Sequence, residues 1–81
     1  MIVTTRTPSE IASDALDQLD VCREVLRQME SILWTLKTRL GASHDGRVAA
    51  LGAAVALDRA DLVEADTHRW RAELEEMEVS A

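Results

Sequence analysis

ASDALDQLDVCREVLRQMESILWTLKTRL, residues 12–40, sets apolar side chains in steps of three and four: Ala12, Ala15, Leu19, Cys22, Leu26, Met29, Leu33, Leu36 and Leu40. This alternation keeps all nine on one stripe of a helix. The flanks widen the stripe, with Ile11, Val25 and Ile32 apolar and Leu16 adding to the other side. So broad a stripe suits a helix with two neighbours rather than a two-stranded coiled coil.

The ends of this helix are written in the sequence. Thr7-Pro8-Ser9-Glu10 offers a threonine N-cap, a proline where an amide would be unpaired anyway, and a glutamate placed for a capping box. Gly41 is the natural residue to end it. A helix over residues 8–40, about 50 Å long at 1.5 Å per residue, follows. Residues 1–6 are β-branched with nothing local to pair with, and are expected to form a flexible N-terminal arm.

Gly41-Ala-Ser-His-Asp-Gly46 predicts a turn over 41–46, with Asp45, or else Ser43, capping a second helix over about 46–78. That helix is apolar on every side from Val48 to Leu57. It then narrows to a stripe of Ala60, Val63, Thr67, Trp70, Leu74 and Met77, which continues back through Ala56, Ala53 and Ala49. Small residues here suit the large ones of helix 1. Trp70 is expected in this intrachain core. Asp66 or Thr67 could instead cap a third helix over 67–78, although Glu64 to Arg69 holds no glycine or proline to force a break.

The fold class is therefore all-α: residues 7–81 as an antiparallel hairpin of two long helices, dimerising into a four-helix bundle. Dimerisation is expected because Trp34, Val48, Leu51, Val55 and Leu57 would otherwise leave a large apolar patch in water. These five are the candidate dimer or partner interface, with Trp34 as an anchor.

Composition limits function. The 81 residues carry a net charge of −6, with nine Lys and Arg against fifteen acids. This argues against direct nucleic-acid binding and against an anionic membrane surface. The longest apolar run is too short to span a bilayer, and no signal peptide is expected. The lone Cys22 reads as a small buried hydrophobe in a reducing, cytoplasmic compartment.

No catalytic residue, metal site or cofactor is expected. His68 has the spacing Glu64-x-x-x-His68 on a polar face, not the Glu-x-x-His of di-iron bundles. Cys22 has no activating base, and the glycines form no phosphate loop.

The acids group by fold instead: a hairpin brings Asp14 and Asp17 to the same pole as Glu73, Glu75, Glu76 and Glu78. This pole is either a solubilising surface or an acidic docking face for a basic partner. The functional expectation is a small bacterial or phage regulator, inhibitor or adaptor that binds another protein as a homodimer. The alternatives are an acidic antagonist (an antitoxin, immunity protein or nucleic-acid mimic) or a secretion co-chaperone.

Overall fold

The computed structural model describes residues 5–80 and holds two helices, α1 (Pro8–Leu40) and α2 (His44–Ser80), joined by Gly41–Ser43. They pack side by side as an antiparallel hairpin, a single layer only 13 Å thick through its Cα atoms. Residues 1–4 of the expected arm lie outside the described residues.

Helix α1 starts as its sequence dictates. The Thr7 hydroxyl accepts a hydrogen bond from the Glu10 amide at 3.1 Å, with Pro8 at the first helical position. Gly41 closes the helix, its amide donating to the Lys37 carbonyl at 2.9 Å. Its φ of 64° and ψ of −138° fall in a region open essentially to glycine alone.

The turn is shorter than the six residues expected. Helix α2 begins at His44 because Ser43 caps it: the Ser43 hydroxyl accepts from the Gly46 amide at 3.0 Å, and its carbonyl accepts from Arg47. Asp45, the first-choice cap, sits inside the first turn, where its charge complements the helix dipole. Gly46 is buried against the turn, and a β-carbon there would lie 2.1 Å from the Gly41 carbonyl oxygen. The tight link therefore depends on a glycine at 46.

Helix α2 runs unbroken to Ser80, so no third helix forms. Thr67 is buried on the inward stripe, and Asp66 pairs with Arg69 at 3.1 Å. Neither is free to cap a new helix. The inward face of α2 is Gly46, Ala49, Ala53, Ala56, Ala60 and Thr67, all buried. This is the expected small-residue stripe, and it lets the α1 backbone come close. Opposite it, Leu33 meets Gly52, with Leu33 Cδ1 3.1 Å from where a β-carbon would stand.

On α1 the centre of the contact is displaced from the seam read in the sequence. Leu16, at 5% exposure, is its one buried residue. Ala12, Leu19, Leu26 and Leu33 are half-buried, whereas Ala15, Cys22, Met29, Leu36 and Leu40 are exposed. One helix covers only part of so broad a stripe. Interhelical ion pairs run along one edge of the covered part. Cys22 is accordingly not the buried hydrophobe expected.

Candidate functional site

At about 100° per residue, the side chains divide the hairpin into two faces. One is polar and bridged. Arg27 reaches Glu64 at 3.0 Å and Asp61 at 3.6 Å, Arg23 reaches Glu64 at 3.8 Å, and Arg71 reaches Asp17 at 3.0 Å and Asp20 at 2.7 Å. The Arg71 guanidinium is held above arginine's usual pKa, chiefly by its hydrogen bond to Asp17. Desolvation opposes the shift, and Asp20 adds to it. All these partners are partly exposed, so each pair contributes little by itself; together they fix the register of the helices.

The other face is open; its α1 half is apolar, and its α2 half carries Arg59, Asp66 and Glu73 among Val48, Val55, Trp70 and Met77. Along α1 a second heptad stripe runs Ile11, Ala15, Gln18, Cys22, Val25, Met29, Ile32 and Leu36, and every member is exposed. Ile32 reaches 61% exposure. At the open end of the hairpin this stripe borders a shallow groove where Ala12, Ala15, Leu16 and Leu19 meet Trp70, Glu73, Leu74 and Met77 of α2. Trp70 lies at the rim of this groove, 40% exposed, rather than in the core expected for it. Its ring is covered in part by Arg69.

This stripe could have been found in the sequence, because its 4-3 spacing runs parallel to the first seam. It was hidden because the two stripes overlap on one broad apolar surface.

The five residues expected at the interface do not form one patch. Val48 and Val55 border the open apolar face, and Leu51 points away from α1. Trp34 and Leu57 lie on the flank that carries the ion pairs further down the rod. All five are exposed, Trp34 by 54%, and the Lys37 ammonium stands 4.9 Å from the centre of the Trp34 ring.

The acidic residues do share one pole: the Ser9 hydroxyl donates to Glu78, which ties the start of α1 to the end of α2. Two others are ion-paired within the chain, Asp14 with Arg6 and Asp17 with Arg71. Among the described residues Glu73, Glu75 and Glu76 make no ion pair.

Charge is therefore graded along the rod. Residues 5–20 and 68–80 hold eight carboxylates against three arginines, a net −5. Residues 31–57 around the turn hold Lys37, Arg39 and Arg47 against Asp45, a net +2.

Among the described residues no cluster of His, Cys, Asp and Glu is arranged to hold a metal ion, and no helix is long and apolar enough to cross a membrane. His68 is exposed, while Asp61 and Glu64 turn to Arg27. Comparison with models of protein families, with curated proteins and with solved structures gives no match.

Proposed function

We propose that this chain is a small non-enzymatic protein-interaction module, a regulator, inhibitor or adaptor, that works as a homodimer of two hairpins closed into a four-helix bundle. One observation carries the reading. Among the described residues Leu16 is the only buried side chain larger than threonine, whereas Ile11, Val25, Met29, Ile32, Val48 and Val55 are all exposed. Apolar surface on this scale is what interfaces cover, and a single layer of two helices has no other means of covering it. Sedimentation equilibrium at micromolar concentration is expected to give about twice the 9.0 kDa chain mass. A stable monomer would overturn the reading.

A second reading places the partner contact at the acidic pole, as in a charge-based antagonist. It is favoured by Glu73, Glu75 and Glu76, which have no ion-pair partner among the described residues and sit where they oppose the dipole of their own helix. Salt separates the two. Partner binding through the pole collapses between about 50 mM and about 500 mM salt as the screening length shrinks, whereas binding through apolar surface persists.

A further inference from the structure

We infer that a second copy of this chain covers the open apolar face with its turn at the opposite end of the rod, so that α1 packs on α1 antiparallel. This rests on the self-association proposed above and adds the face and the direction.

The face follows from continuity. The exposed stripe from Ile11 to Leu36 keeps heptad spacing for the length of α1, with Gln18 as its one polar member. A heptad stripe is the pattern by which one helix seats against another. Trp34 and Leu57 form no comparable run, because the flank below them is occupied by the arginine–carboxylate pairs.

Size agrees. A face about 50 Å long and two helices, about 20 Å, wide offers on the order of 1,000 Å² per copy. A standard stable interface needs about 800 Å² per partner.

Direction follows from charge. Two hairpins stacked face to face can align their turns or oppose them. Aligned turns lay one −5 pole on another. Opposed turns lay each −5 pole against a +2 pole, which lowers the electrostatic cost of association. With α1 paired antiparallel about its middle, near residue 24, Arg39 of one copy comes level with the start of α1 in the other, within a turn of Glu10. Arg47 comes level with Glu76 and Glu78. The sole cysteine, Cys22, falls close to the twofold axis.

Disulfide trapping tests the arrangement. In a Cys22→Ser background, chains carrying I11C, L36C or M77C are mixed in pairs and oxidised, with circular dichroism confirming that each is helical. Opposed turns give a mixed disulfide between the I11C and L36C chains. A disulfide between the I11C and M77C chains instead means that the turns are aligned, and overturns the inference. A dimer that forms neither disulfide overturns the choice of face. Sedimentation of the same chains separates these outcomes from failure of the underlying reading, which alone gives monomers throughout.

Discussion

The half of the hairpin next to the turn and the half at its open end are held together by different means. Near the turn, Ala49, Ala53 and Ala56 are buried and Leu33 closes on Gly52. Among the described residues, no ion pair crosses between the helices there. At the open end the alanine stripe has given way to Thr67 and Leu74, and arginines bridge α1 to α2 from Arg27 down to Arg71.

The difference is one of register. Close to Gly41–Ser43 the covalent link and its glycines set which residues face each other, so small side chains and close approach are sufficient. Some thirty residues away the link no longer constrains the pairing. Directional contacts take over where apolar packing alone would tolerate sliding.

The sharpest way to break this contrast is Leu33→Asp, which puts a charge against Gly52 in the half that has no interhelical ion pairs to compensate. A loss of about 3 kcal/mol or more is expected, read as a collapse of the thermal unfolding transition. An unchanged melting temperature would mean that Leu33 is not packed. Next is Gly46→Ala, which drives a β-carbon into the Gly41 carbonyl. A cost of about 2 kcal/mol is expected from forced movement of the turn, measurable by urea denaturation. A cost under half of that would show that the turn can relax freely.

Arg27→Gln tests the other half. It removes contacts to Asp61 and Glu64 between partly exposed groups, so stability should fall by less than about 1 kcal/mol. High salt should produce the same loss in the unmodified chain. A larger effect would mean that the arginine is needed for packing as well as charge. The smallest change is expected from Glu73, Glu75 and Glu76 replaced together by glutamine. Helicity should persist and stability rise by a few tenths of a kcal/mol per site, because the carboxylates oppose the C-terminal dipole. A fall in stability would give that pole a structural role.

Much of this architecture was legible because it is local. Thr7, Pro8, Glu10 and Gly41 bound α1 through contacts within a few residues, and the stripe from Ala49 to Thr67 needs only its own spacing to be read. What escaped depends on pairs far apart in sequence. With α2 settled over Leu16 rather than Cys22, Arg71 reaches Asp17 and Asp20 and Arg27 reaches Glu64, pairings between residues far apart in sequence. No periodicity within α1 encodes that rotation. The same rotation separates Trp34 and Leu57 from Val48 and Val55, which lie close together in sequence but on different sides of the rod. The cap at Ser43 rather than Asp45 was a choice between two good candidates, settled by how tightly Gly46 lets the chain turn.

The three-residue link also orders the events of folding. Contacts such as Leu33 with Gly52 close a loop of about twenty residues, whereas Ser9 with Glu78 closes nearly the whole chain. Loop-closure entropy grows with the length enclosed, so the hairpin should zip from the turn outward, each closed pair shortening the next loop. Amide exchange would then be slowest around Ala49 to Ala56 and quicken steadily toward Glu78. Uniform exchange along both helices would mean that the molecule closes in one step.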